Sequence, residues 1–131
     1  MKELKGQCHC GDTAYTLLPN KQFEFLCHCK DCRVLNSGGH LSAIIFNEKD
    51  LSLNDGKLSM YSYIGGSGKN IEYHFCSNCG TGIYAKPLAH EGVVAVRANT
   101  INDQNFFKPE KSLFPEDAYP WDKSIITEAQ V

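Results

Sequence analysis

Seven cysteines in three short clusters are the residues of this chain most able to do chemistry. The clusters are Cys8-His9-Cys10, Cys27-His28-Cys29-Lys30-Asp31-Cys32 and Cys76-Ser77-Asn78-Cys79, and no cysteine of the sequence lies outside them. Thiolates two or three residues apart can converge on one ion, because zinc–sulfur bonds of about 2.3 Å suit ligands from a tight turn. A disulfide between such neighbours would be strained. The spacing therefore predicts metal binding, with redox-active or merely buried thiols as the alternatives.

The first and third clusters predict the two halves of one closed zinc site. Gly11 follows Cys10, and Gly80 follows Cys79. Glycine is expected where the backbone turns back with positive φ while its amides point at a thiolate. The four cysteines of these clusters are then the ligands of a structural zinc: Cys8, Cys10, Cys76 and Cys79.

The middle cluster leaves Cys27, Cys29 and Cys32 as a separate group of three thiols. Three protein ligands leave the fourth position of a zinc ion free for water or substrate, which distinguishes a reactive site from a structural one. Two alternatives stay open, namely a fourth protein ligand that closes this site and a single zinc shared by all the clusters. With an open site, we predict two zinc ions per chain and a catalytic role for these three cysteines.

Four residues beside this group admit more than one role. Lys30 and Arg33 can receive the carboxylates of a peptide-like thiol, or they are solvated surface charges. Asp31 can accept a proton, or it caps a helical turn. His28 is a fourth ligand, supports the ligands, or points away from the metal, and we assign it no catalytic role.

Composition predicts an ordinary globular protein. The 131 residues fit one domain, residues 1–131, with 42% hydrophobic residues, 21% charged residues and a net charge of −2. Such a balance provides no basic face for nucleic acid. The polar N-terminus shows no signal peptide, and the longest apolar run, Ala43-Ile44-Ile45-Phe46, is far shorter than the ~20 residues of a membrane span. We therefore expect a cytoplasmic protein without nucleic-acid or membrane partners, in a compartment where disulfides are rare.

Short alternating segments separated by turn signals predict a mainly antiparallel β fold. The predicted strands cover residues 13–17, 23–26, 40–47, 57–64, 70–75, 82–85 and 93–98. Only residues 31–36 look able to form a helical turn, whose amides would help to keep thiolates ionised. The tail after Asn105 is expected to pack across the sheet. Exposed strand edges make a homodimer possible.

With these clusters in place, the chain resembles the glutathione-dependent formaldehyde-activating enzyme family. The pattern of that family is Gly-x-Cys-x-Cys-Gly, Cys-His-Cys-x-x-Cys-Arg and Phe-Cys-x-x-Cys-Gly. It is matched here by residues 6–11, 27–33 and 75–80. The likeness extends through Ser37-Gly38-Gly39, Asp55-Gly56 and Ala98-Asn99-Thr100-Ile101-Asn102-Asp103, with Pro120-Trp121 as a weaker echo. The family also includes centromere-associated relatives.

The resemblance implies a Mss4-like or β-tent fold of small antiparallel sheets around zinc sites. It also implies a structural zinc on Cys8, Cys10, Cys76 and Cys79 and a second zinc on Cys27, Cys29 and Cys32. In the named enzyme, the second zinc engages the thiol of glutathione for addition to formaldehyde, giving S-hydroxymethylglutathione. We therefore expect a zinc-dependent carbon–sulfur lyase-like enzyme that acts on thiol–aldehyde adducts. The alternative is a non-catalytic, zinc-stabilised module that binds another protein.

Overall fold

The computed structural model describes residues 2–123. In it, the short segments of alternating apolar residues form two β-sheets. Within that range the chain forms ten strands, one α-helix and a further helical segment at residues 120–123. In chain order, the elements are β1 (Leu4–Gln7), β2 (Ala14–Leu17), β3 (Phe23–Cys27), α1 (Lys30–Leu35), β4 (Leu41–Asn47), β5 (Leu51–Leu53), β6 (Leu58–Ile64), β7 (Asn70–Cys76), β8 (Gly82–Pro87), β9 (Val93–Arg97) and β10 (Lys111–Leu113). Short 3₁₀ turns lie at Glu48–Asp50, Ala98–Thr100 and Pro115–Asp117.

The smaller sheet has the strand order β1-β2-β5, and the larger has the order β10-β3-β4-β9-β8-β7-β6. Neighbouring strands run antiparallel except β10, which lies parallel to β3 at one edge of the larger sheet. The predicted class, a mainly β fold of small sheets around cysteine clusters, is therefore confirmed, with one parallel pair that the sequence did not indicate. None of the helices in the described part of the chain is long and apolar enough to cross a membrane.

Each predicted strand is present, with its ends displaced by no more than two residues. The predicted helical turn is also present, one residue earlier than expected, as α1. The sequence did not indicate β1, β5 or β10. These strands have only three or four residues, too few to establish an alternating pattern, and their pairing partners define them instead.

Alternation along β4 and β9 creates an apolar core on each face of the larger sheet. Ile44, Phe46, Val94 and Val96 are fully buried in the larger core, which also includes residues of β1 and β2. Ala43 and Ala95, from the same two strands, lie in a smaller core on the opposite face. Cysteines of the first and third clusters belong to the larger core, whereas Cys27 belongs to the smaller one. The two faces of one sheet thus carry the two groups of cysteines.

The tail begins by packing Phe106 and Phe107 against the larger core, in line with the prediction, and β10 then extends the edge of the sheet, whereas residues 124–131 lie outside the described residues. β10 pairs with β3, and buried Glu24 receives the backbone N–H of Lys108 at 3.1 Å. The Glu24 N–H in turn donates to the Glu110 carboxylate at 3.0 Å. An edge strand has unpaired backbone groups, and this pairing satisfies those of β3. The chain then leads past Pro115–Asp117 to the helical residues 120–123.

Candidate metal centres

The first and third cysteine clusters meet, as predicted, between the end of β1 and the end of β7. The four sulfur atoms of Cys8, Cys10, Cys76 and Cys79 all lie within 4.8 Å of one another. The Cys8 and Cys10 sulfurs are 3.6 Å apart, and those of Cys10 and Cys76 are 3.8 Å apart. A tetrahedron with zinc–sulfur bonds of about 2.3 Å has edges of about 3.8 Å. We call this group the closed cluster, and its donor set and spacing fit one zinc ion.

Two tight turns bring these sulfurs together. Gly11 and Gly80 have φ of 85° and 81°, the left-handed region that the sequence predicted for both glycines. Their amides donate back to the carbonyls of Cys8 and Cys76, at 3.2 and 2.9 Å. The Thr81 hydroxyl lies 3.2 Å from the Cys79 sulfur, and its hydrogen bond is the main reason that the pKa of Cys79 is lowered to about 5. The turn of the third cluster therefore favours the thiolate form of Cys79 that a metal requires, whereas the pKa of Cys10 in the first turn is raised to about 11.

The middle cluster forms a second group, which we call the open cluster. Cys27 ends β3, Cys29 immediately precedes α1, and Cys32 lies in its first turn. The three sulfurs lie within 4.8 Å of one another, and no further Cys, His, Asp or Glu of the described chain joins them. Cys27 is buried, whereas Cys29 and Cys32 are half-buried. The arrangement fits a metal ion that is bound by three protein sulfurs and has one coordination position without a protein ligand.

Electrostatics inside the open cluster favour a cation. The pKa of Cys27 is lowered to about 6, chiefly by a hydrogen bond from the Cys32 thiol and also by the Cys29 amide. The pKa of Cys32 is raised by that same hydrogen bond and by burial, and burial raises the pKa of Cys29. One thiol therefore ionises readily, but three adjacent thiolates require a positive charge among them.

His28 points away from the open cluster although it stands between two of its cysteines. Its imidazole is completely buried, and Nδ1 lies 3.5 Å from Oδ2 of Asp122. The same oxygen lies 2.8 Å from Nδ1 of His40, and the centroids of the two rings are 5.0 Å apart. Burial is the main reason that the pKa of His28 is lowered. Sequence reasoning missed this cluster because His40 and Asp122 are 82 residues apart and neither stands in a motif.

The comparison with protein families agrees with this geometry. The family model described as glutathione-dependent formaldehyde-activating enzyme matches residues 3–117. The chain belongs to this family. All three cysteine clusters lie within the matched range, so the predicted family is confirmed.

A solved structure supports the fold assigned to this member of the formaldehyde-activating enzyme family. The crystal structure of a Rhodobacter sphaeroides protein, determined as a structural genomics target, superposes with a TM-score of 0.64 and 21% sequence identity. The match covers 82% of this chain and 98% of the other. A search of curated proteins gives no match.

The charged residues expected around the open cluster of this family member take different positions. Lys30 and Asp31 are exposed in the first turn of α1, and Asp31 is not the N-cap, a position held by Cys29. The Arg33 guanidinium lies 4.2 Å from the centre of the Tyr119 ring. Arg33 therefore packs on the tail, which the sequence alone did not indicate.

An apolar cavity of about 180 Å³ lies beside the open cluster, with Cys32 in its wall. Most of the other wall residues are apolar side chains from the smaller core and the neighbouring strands, such as Phe25, Leu41 and Ile71. The exception in charge is Arg97 at the end of β9. In the sequence, Arg97 is the last residue of an apolar strand, and nothing there indicated that it would line a cavity.

Proposed function

We propose that this protein is a zinc-dependent enzyme that forms or breaks the carbon–sulfur bond of thiol–aldehyde adducts. The observation that carries the proposal is the open cluster, whose three sulfurs are joined by no fourth Cys, His, Asp or Glu of the described chain. Its half-buried position beside a cavity is a second support, because a substrate must reach it. Membership of the formaldehyde-activating family supports the same chemistry.

The two clusters have different tasks in this proposal. Cys8, Cys10, Cys76 and Cys79 hold a structural zinc, and Cys27, Cys29 and Cys32 hold the second zinc as its catalytic ligands. Zinc held by Cys27, Cys29 and Cys32 would supply a Lewis acid that favours the thiolate form of a substrate thiol. The apolar cavity wall excludes water and orients the substrate chain next to the open cluster.

The reaction itself is an addition and its reversal. The substrate sulfur forms a bond to the carbonyl carbon of an aldehyde, and the π electron pair of the carbonyl moves to its oxygen. That oxygen takes up a proton, equal to the one the thiol loses, and the product is a thiohemiacetal. Breaking the carbon–sulfur bond by the reverse path returns the thiol and the aldehyde.

The same proposal includes the partners, the cellular compartment and the oligomeric state of the protein. Its substrate is a small-molecule thiol, with glutathione as the first compound to test, and neither nucleic acid nor membrane is a partner. Seven unpaired thiols suit the reducing cytoplasm. Residues 1–131 act as a single domain, and the exposed edge strand β6 is where a homodimer would form.

The test compares adduct exchange with and without the open cluster. With zinc-loaded protein, we expect faster exchange between glutathione, formaldehyde and their adduct, measured by NMR exchange spectroscopy. Cys29→Ser should remove this acceleration and one of the two zinc ions, because a site reduced to two thiolates binds zinc weakly. Zinc added back to mildly chelated wild-type protein should restore the rate, and zinc added to Cys29→Ser should not. Equal rates for wild type, Cys29→Ser and buffer would contradict the proposal.

The alternative of a zinc-stabilised interaction module predicts a different result. Met60, Tyr61 and Ile64 of β6 expose between 50% and 70% of their surface, which is the kind of edge another protein can cover. In that case both zinc ions resist chelation equally and no thiol binds to either. One readily exchanged zinc that responds to added thiol would instead favour the enzyme.

A further inference from the structure

We propose that Arg97 is an anion-binding residue for the substrate, which is a compact thiol with a carboxylate a few bonds from its sulfur. This inference rests on the proposed function, because it places the sulfur of the substrate at the open cluster. The inference adds the chemical class of the part of the substrate that lies beyond its sulfur.

The first observation is that the Arg97 guanidinium is buried without an anionic partner. The residue exposes only 4% of its surface, and its Nε and Nη1 atoms have no hydrogen-bond partner. Among residues 2–123, no carboxylate lies within ion-pair distance of it. Its recorded neighbour is the ring of Tyr73, 5.0 Å from the guanidinium carbon. A ring face attracts the charge, but it does not accept the in-plane N–H groups.

The second observation is that Arg97 lines a cavity. Arg97 and Cys32 both line the space of about 180 Å³ beside the open cluster. A ligand in that space therefore lies against a cationic residue at one point of the wall and against a cysteine of the open cluster at another. A planar guanidinium fork suits a carboxylate better than any other common anion except phosphate. An unpaired buried charge is costly, and a carboxylate would relieve that cost.

The size of the cavity limits the ligand. A cavity of about 150 Å³ takes a molecule such as benzene, whereas pockets for drug-sized ligands have roughly 300–1,000 Å³. With about 180 Å³, this cavity accepts a thiol and a carboxylate joined by a few carbons. A tripeptide thiol would leave most of its atoms outside. The apolar wall favours methylene groups between the two ends.

The experiment compares two thiols that differ only at the anionic end. We would measure the dissociation constants of 3-mercaptopropionate and 3-mercapto-1-propanol for zinc-loaded protein at pH 7 by calorimetry. The carboxylate thiol should bind at least about tenfold more tightly, which is the usual worth of a charged hydrogen bond. Arg97→Gln should remove this preference and leave the affinity for the alcohol within about twofold. Arg33→Gln, the matched control at the only other arginine of the sequence, should keep the preference.

A measurement on unaltered protein covers the case in which Arg97→Gln fails to fold. With ¹⁵N-labelled arginine, wild-type protein has two Nε signals, and Arg33→Gln assigns them. 3-Mercaptopropionate should shift the Arg97 signal, and the alcohol should not. Equal binding of the two thiols, or a preference that disappears in Arg33→Gln, would overturn the anion site and leave the proposed function standing. Failure of both thiols to bind while glutathione binds would overturn this inference alone, and failure of all three thiols to bind would overturn the proposed function with it.

Discussion

At the scale of single residues, small groups around the sulfurs decide which thiols are ready to bind a metal. Thr81 is the clearest case. Its oxygen accepts the N–H of His9 at 3.2 Å, so its own hydrogen is free to point at the Cys79 sulfur. That hydrogen bond is the largest contribution to the lowered pKa of Cys79. Threonine at this position therefore belongs to the closed cluster, although it contributes no ligand.

Replacing Thr81 by valine should make the closed cluster release zinc at a higher pH. The folded pKa of Cys79 is about 5, so its thiolate persists until the pH falls towards that value. Without the hydroxyl the pKa rises, protons compete with the metal earlier, and the midpoint of zinc release moves up by roughly half a pH unit. A dye that binds released zinc would report the midpoint during acid titration.

Ser77→Ala is the matched control for this experiment. Ser77 lies in the same turn, but its hydroxyl is hydrogen-bonded to Ser59 at 2.7 Å and not to a sulfur. Its removal should leave the release midpoint unchanged. A midpoint that moves equally in both variants would show that the turn as a whole, and not the hydroxyl beside Cys79, sets the pH of release.

Gly6 of the first motif shows why some residue requirements could not be predicted from the sequence. The family pattern includes Gly6, but spacing alone gives no reason for it. In the structure, a Cβ at Gly6 would lie 2.2 Å from the Tyr15 ring and 2.6 Å from the Thr100 carbonyl oxygen. The need for glycine comes from residues far away in the chain. By contrast, Gly11 and Gly80 were predicted from the local turn alone, and their positive φ confirms it.

At the scale of elements, the alternation of apolar residues predicted the long strands, but it did not predict the contacts that the tail makes. Seven strands and α1 follow from local patterns of apolar residues. β10 pairs with β3 only because the chain returns to that edge, and Asp122 meets His28 and His40 for the same reason. Likewise, Arg97 stands in sequence as the last residue of an apolar strand. Its position in the cavity wall depends on how β9 packs against other elements.

The turn at residues 120–123 should stabilise the open cluster through Asp122. This carboxylate is almost fully buried and accepts the hydrogen bond of His40, with His28 next to it. Asp122→Ala leaves the His40 imidazole without that acceptor, which costs about 1–3 kcal/mol of unfolding free energy. Since His28 lies between Cys27 and Cys29, the loss should also speed zinc release from the open cluster. Urea unfolding and the rate of zinc transfer to a chelator measure the two effects.

Glu116→Ala supplies the comparison for the tail. Glu116 is exposed in the turn Pro115–Asp117, so its removal deletes a carboxylate from the same segment without touching either histidine. We expect unfolding free energy and zinc transfer to stay at wild-type values. If Asp122→Ala changed stability but not zinc transfer, the tail would support the fold without supporting the open cluster.

At the scale of the whole molecule, the two zinc ions should differ in what they hold together. Cys8 and Cys76 belong to the larger core, which joins the two sheets. Cys27 belongs to the smaller core, which lies on the opposite face and is built largely from strands of the larger sheet. A structural four-thiolate zinc contributes about 10–16 kcal/mol, whereas a whole domain is stable by only about 5–15 kcal/mol. If the closed cluster holds zinc as proposed, we expect the fold to depend on that ion.

Stepwise removal of metal should separate the two roles. A chelator should first take one zinc per chain from the open cluster, because that ion has three protein bonds and a free position. The circular dichroism spectrum should stay native through this step, while thiol binding disappears. Removal of the second zinc should coincide with unfolding, because the buried sulfurs of Cys8 and Cys76 then lose the ion that unites them. Zinc content, circular dichroism and thiol binding followed in one titration would test this order, and a native spectrum with no zinc left would contradict it.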